Sequence, residues 1–163
     1  MTAELITRYV KILIVFAAFW LGLWAFNAVG CNRVGNEMTP TLNIEKGCLI
    51  DPRVRSTDDL KADDLVVYQA EPAGGRESRR VTARVVGLPG DKVKIVKGEV
   101  FVNGSRAATS VAPDKKAQDD YAEIFVPRST VFVLCDNRGG ATRTLDSRTL
   151  GPIGAWALVG KLR

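Results

Sequence analysis

From Ile12 to Gly30 the chain reads ILIVFAAFWLGLWAFNAVG, nineteen residues without a charge. No other feature limits the fold so strongly. As a helix at ~1.5 Å per residue the run extends about 28 Å, close to the ~30 Å hydrocarbon thickness of a bilayer. It has no polar face, which disfavours a helix lying on a soluble core. Arg8 and Lys11 precede it, and cations on that side favour a cytoplasmic N-terminus. The expected organisation is therefore a cytoplasmic segment 1–11, a transmembrane helix 12–30 and an extracytoplasmic domain 31–163. Two other readings start from the same residues. A cleaved secretory signal has a similar charge order but a shorter apolar run. Ala28-Val29-Gly30-Cys31 loosely resembles a lipid-attachment box, without the usual leucine at its first position.

Beyond the run, the sequence changes character. Cys48 to Ile50, Asp64 to Gln69, Val81 to Val86, Lys92 to Val96, Glu99 to Val102 and Thr130 to Leu134 are short stretches rich in Val, Ile and aromatics. Gly, Pro, Asn and Asp separate them, which is the pattern of strands joined by turns. Val100-Phe101-Val102 before Asn103-Gly104 predicts a hairpin, and Leu88-Pro89-Gly90-Asp91 predicts a turn. No helical period of any length survives. A mainly antiparallel β domain follows, of a size that can bury a core. Glu71 to Arg80 and Pro113 to Glu123 are polar, lack periodicity and read as solvated loops.

The net charge is +5. Residues 1–30 hold Arg8, Lys11 and Glu4, so +4 falls on the remainder. That excess suits an ordinary solvated surface or a domain near anionic lipid. No nucleic-acid motif accompanies it. The cysteines are Cys31, Cys48 and Cys135, and there is no histidine. Three cysteines at irregular spacing are not a disulfide framework, although one bridge is open to them outside the cytoplasm. Without histidine or a C-x-x-C pair there is no zinc pattern, and nothing else in the chain asks for a cofactor.

The short motifs, taken in order, resemble those of one family. Glu37-Met38-Thr39-Pro40-Thr41-Leu42 resembles an S-M-x-P-T-L box. Ala62 to Tyr68 is similar to R-G-D-[IV]-V-V-F, and Ala83 to Asp91 to K-R-V-[VI]-G-L-P-G-D. Gly98 to Gly104 matches the hairpin after them. Cys135-Asp136-Asn137-Arg138 with Asp146-Ser147-Arg148 resembles G-D-N-R followed by S-x-D-S-R. Gly151-Pro152 and Val159-Gly160-Lys161 fit the C-terminal pattern. The family is that of the type I signal peptidases. The resemblance implies a signal-peptidase-like antiparallel β domain on the outer face of a membrane, behind an N-terminal transmembrane helix. It also implies cleavage of signal peptides by a serine nucleophile with a neutral lysine as base, a variant that needs no histidine.

At the positions that carry this chemistry the chain departs from the pattern. Glu37 stands where the resemblance implies the serine, and Ala83 where it implies the lysine. Gly35 stands where many members place a serine that supports the oxyanion. Three extra residues precede Asp146, and Thr144 falls where the resemblance implies the serine that orients the lysine. A carboxylate is a poor nucleophile toward an amide and opposes a developing oxyanion; an alanine accepts no proton. The turn residues Pro40, Gly87, Pro89 and Gly90 persist, as do Asn137-Arg138 and Asp146.

The expected function is that of a catalytically inactive signal-peptidase-like membrane protein. Its partners would be the membrane and an exported protein or peptide, held as an extended strand. Met38 and Pro40 are the candidate peptide contacts. Arg84, Asp136, Arg138, Asp146 and Arg148 are the candidate structural ion pairs, with Arg84 expected against Asp136. Glu37 is left to pair with an arginine or to face water. The alternative is an active endopeptidase of the same family that processes a dedicated exported substrate with non-standard catalytic residues. Cys135 as nucleophile, or Glu37, Asp136 and Asp146 as a carboxylate metal site, are the routes by which chemistry would be rebuilt.

Overall fold

The computed structural model describes residues 3–28, 30–32, 36–42, 48–71, 77–107, 119–138 and 145–162. The chain divides into two compact units, Met1–Gly30 and Cys31–Arg163. The first is a helix, α1 (Ala3–Ala28). Its side chains are described at Glu4 and over 7–23, where Tyr9, Val10, Ile12 to Phe16 and Phe19 to Leu21 are exposed. Among the described residues no helix is long and apolar enough to cross a membrane.

The second unit is built of antiparallel strands. In chain order they are β1 (Gly30–Asn32), β2 (Cys48–Asp51), β3 (Leu65–Ala70), β4 (Arg79–Gly87), β5 (Lys92–Val96), β6 (Glu99–Val102), β7 (Ser105–Arg106), β8 (Tyr121–Phe125), β9 (Thr130–Leu134), β10 (Ile153–Gly154) and β11 (Leu158–Leu162). Seven make one sheet in the order β1-β2-β11-β3-β4-β9-β10, and four make a second in the order β7-β6-β5-β8. A single turn of helix, α2 (Ser147–Leu150), precedes β10.

Strands β4 and β9 explain why the sequence reads as near-continuous apolar runs at Val81 to Val86 and Thr130 to Leu134. Successive side chains of a strand point to opposite faces, and here both faces are covered. Val81, Ala83, Val85, Val131, Val133 and Cys135 enter one core with Tyr68 and Leu145. Val86, Phe132 and Leu134 enter a second core with Val93 and Ile95 from the smaller sheet and Val126 just beyond β8. The connection between the sheets is the turn at Leu88. Asp91 N donates to Leu88 O at 3.0 Å, and Gly90 sits at φ +94°, the conformation that favours glycine at the third position of a type II turn. The Asn103-Gly104 hairpin closes with both residues at positive φ, and Val102 opposes Ser105, as a type I′ turn requires.

Two loop assignments need correction. Glu71 to Arg80 reads as loop, but β4 begins at Arg79; residues 72–76 lie outside the described set. Pro113 to Glu123 also reads as loop, but Tyr121 begins β8. β8 lies at the edge of its sheet and shows water most of its side chains, so the apolar alternation that marks a strand is missing. Only Tyr121 and Ile124 lean on the core. β11 also lacks a clear strand signature in the sequence: Leu158, Gly160 and Leu162 are its buried positions, and a glycine in the middle of that stripe hides the period.

Candidate functional site

Glu37 lies in a 3-10 turn, Asn36–Met38. The turn is fastened to the chain leaving β9. Asn137 N donates to Glu37 O at 2.9 Å, and Asn137 Nδ2 donates to Asn36 O at 3.1 Å. Thus Asn137 of the fifth motif sets the position of Glu37 of the first. The Glu37 side chain is 12% exposed, and its Oε1 faces Arg79 Nη2 at 3.5 Å. Sequence reasoning missed Arg79 as the partner. It lies 42 positions away, at the mouth of β4 in what reads as a loop. The two candidate peptide contacts separate: Met38 is fully buried with Ile50, Val67 and Leu162, while Pro40 is exposed.

Ala83 is fully buried on β4, opposite Val66 of β3. Its core holds the polar groups of Tyr68 and Cys135. The Tyr68 hydroxyl donates to Leu145 O. Burial raises its pKa far above the ordinary phenol, and the charges of Cys135, Asp146 and Glu37 add to the rise. The Cys135 thiol is free and buried, with Sγ 4.0 Å from Thr82 O. Burial likewise raises its pKa, helped by Asp146 and Glu37. A thiol held protonated in this way is a weak nucleophile. Sequence reasoning did not single out Tyr68; the only signal was an aromatic with a hydroxyl inside an otherwise aliphatic strand.

On the other face of β4, Arg84 meets Asp136. Nε donates to Oδ1 at 3.1 Å and Nη2 to Oδ2 at 2.8 Å, and Nη1 donates to Asp63 O at 3.2 Å. This is the bidentate fork that guanidinium and carboxylate form best. Beside it is a crevice lined by Arg84, Val86, Val100, Leu134 and Arg138, with about 10 Å³ open to water, roughly the space of one molecule. Arg138 Nη1 donates to Gly98 O at 2.8 Å, which ties the end of β9 to the hairpin of the smaller sheet.

Asp146 is fully buried and gathers its neighbours. It caps α2 by accepting from Arg148 N at 3.1 Å, accepts from Cys135 N at 3.2 Å, and pairs with Arg148 Nη2 at 2.7 Å. Arg148 also reaches Asp119 at 2.8 Å. Burial alone would lower the Arg148 pKa; hydrogen bonds and charge from Asp146 and Asp119 outweigh it and hold the guanidinium charged. Next to it, the buried Ser147 accepts from Val133 N through Oγ at 2.8 Å, so its hydroxyl braces β9. Gly35 and Thr144 lie outside the described residues. The carboxylate metal set does not assemble. Asp136 and Asp146 are taken by arginines, and among the described residues no three acidic or cysteine side chains gather in a way that could hold an ion.

The comparisons with known proteins agree with this architecture. A family model described as "Signal peptidase, peptidase S26" matches residues 6–163. The chain is 32% identical over 123 residues to Signal peptidase I P of Bacillus subtilis subsp. natto, covering 70% of this chain and 63% of that protein. It is 26% identical over 150 residues to Signal peptidase I of Bacillus licheniformis, covering 86% and 77%. Against the Bacillus subtilis subsp. natto protein and the signal peptidase I of Bacillus amyloliquefaciens, the match spans a little under two thirds of the relative's length. Among solved structures, a signal peptidase I from Enterococcus faecalis V583 superposes with a TM-score of 0.51 at 24% identity, over 64% of this chain and 97% of that one, a likeness of fold. With the matched region running through both sheets and every motif above, the chain belongs to the signal peptidase family, peptidase S26.

Proposed function

We propose that this protein is a membrane-anchored, catalytically inactive signal-peptidase-like protein that binds an extended segment of an exported protein or peptide without cutting it. The observation that carries this reading is Ala83, a fully buried methyl in an apolar core where the family resemblance implies the base. Glu37 stands where it implies the nucleophile. The groups around them offer no replacement: the Tyr68 hydroxyl is spent on Leu145 O, the Ser147 hydroxyl accepts from Val133 N, and the Cys135 thiol is buried and held protonated. General-base activation needs a nucleophile and a base within hydrogen-bond reach, and no such couple occurs among the described residues.

Support for the anchor comes from the uncharged run Ile12–Gly30 and from α1, whose large apolar side chains between Tyr9 and Leu23 are exposed. Exposed apolar surface of that extent requires a cover, and lipid supplies it. The domain that follows would then lie outside the cytoplasm. Assembly or chaperone work on exported proteins, such as components of surface appendages, fits a peptide-binding cleft without chemistry; that step is analogy with the fold.

The relatives named above are signal peptidases, so the decisive experiment is cleavage. Purified full-length protein in detergent is incubated with signal-peptide substrates, and products are followed by mass spectrometry. The expected result is intact substrate. Cleavage that disappears in Cys135→Ala or Glu37→Gln would replace this reading with that of an enzyme using non-standard residues.

A further inference from the structure

The Glu37 carboxylate is loosely held. Its side chain is 12% exposed, yet among the described residues it accepts no hydrogen bond. The cation it faces among the described residues, Arg79 Nη2, stands 3.5 Å away, beyond the ~2.7–2.9 Å of a charge-assisted hydrogen bond. A carboxylate has about four acceptor positions. A closer cation would supply hydrogen bonds that Arg79 does not. Arg79 is a weak holder, because its own side chain is 44% exposed and ion pairs of that kind are readily exchanged with solvent. The backbone that carries the carboxylate is fixed in place, tied to Asn137 at Asn36 O and Glu37 O. Thr39 and Pro40 beside it are exposed. Arg80, the next residue of β4, alternates to the other face of the strand, and Arg79 is the side chain that pairs with Glu37 among the described residues.

We propose that Glu37 is a docking point for a cationic side chain, a lysine or arginine of an extended peptide, which displaces Arg79 and hydrogen-bonds the carboxylate directly. Arg79 is then an internal competitor that occupies the site when no peptide is present. The proposal rests on the peptide-binding reading above and adds a selectivity to it: the position that in an enzyme would attack the peptide here recognises a positive charge on it.

The test uses full-length protein in detergent and two fluorescein-labelled alanine-rich peptides, one carrying a lysine and the other norleucine, which keeps the four-carbon chain without the charge. Binding is read by fluorescence anisotropy at low salt. The lysine peptide is expected to bind about tenfold more tightly. Glu37→Gln should bring the two affinities together while leaving norleucine binding in place. Arg79→Ala should widen the preference for lysine, an outcome that a merely structural ion pair would not give. Equal affinity for the two peptides, a preference that survives Glu37→Gln, or a preference that narrows in Arg79→Ala overturns the proposal and leaves peptide binding standing. Failure of both peptides to bind removes the peptide-binding reading as well, so the two failures are distinct.

Discussion

Arg84 grips both carboxylate oxygens of Asp136, at 3.1 and 2.8 Å, in a place where the two side chains are 7% and 2% exposed. The contact joins β4 to the chain just beyond β9, where the third and fifth sequence motifs meet. Breaking one partner of a buried pair leaves the other charge uncompensated and costs about 3–5 kcal/mol. Arg84→Ala should therefore lower the melting temperature of the β domain clearly, as read by circular dichroism. An unchanged melting curve would show that the pair contributes nothing to the fold.

Alkaline pH should weaken the protein in a traceable way. Cys135 and Tyr68 are acids whose pKa values are raised in the native state, from ordinary values of 9.0 and 10.0. Above those values the unfolded chain gives up protons that the folded one keeps, so stability falls as pH rises. The contribution is fully present below about pH 9 and is lost progressively above it. Urea denaturation followed from about pH 7 to about pH 11 should show the decline, and Cys135→Ala should flatten its first part. In the same range, native Cys135 should react with iodoacetamide far more slowly than the unfolded chain does.

Installing a serine at position 37 and a lysine at position 83 is the sharpest check on the proposed inactivity. Glu37→Ser alone supplies a nucleophile without a base. Ala83→Lys alone supplies a base with nothing to activate. Residues that act as a unit are strongly non-additive, so each single variant should be silent. The double variant should cleave a signal peptide slowly, with the new lysine kept neutral by the apolar core around position 83. Without a hydroxyl at Gly35 it should fall about 10²–10³ short of a complete site, and adding Gly35→Ser should raise the rate. If the triple variant is also silent in a product-release assay, the cleft has been reshaped beyond its two central residues.

Topology is open to a direct readout. Reporter fusions at Arg163 should be active only for a reporter that works after export, as Arg8 and Lys11 ahead of the apolar run imply. Activity of a cytoplasmic reporter at that position would reverse the orientation.

Local pattern made much of this fold legible. Val81 to Val86 and Thr130 to Leu134 announce themselves because both of their faces are buried, and the turns at Gly90 and Asn103-Gly104 because they need those residue types. β8 was hidden by its position: an edge strand facing water carries the composition of a loop. The site was legible as a set of positions but not as a set of contacts. Nothing near Glu37 in the sequence points to Arg79, and nothing near Tyr68 points to the carbonyl of Leu145, since in both contacts a strand meets a turn or connection far away in the chain. The Arg84–Asp136 contact was within reach because two recurring motifs already carried its ends.

The alternation of β4 has a consequence for engineering. Residues 83 and 84 are consecutive in the chain but face opposite sides of the strand, Ala83 toward Tyr68 and Cys135 and Arg84 toward Asp136. Position 83 can therefore be redesigned for size and polarity against one set of neighbours while position 84 goes on holding the chain beyond β9. New properties can be written onto one side of the strand while the tie on its other side stays intact.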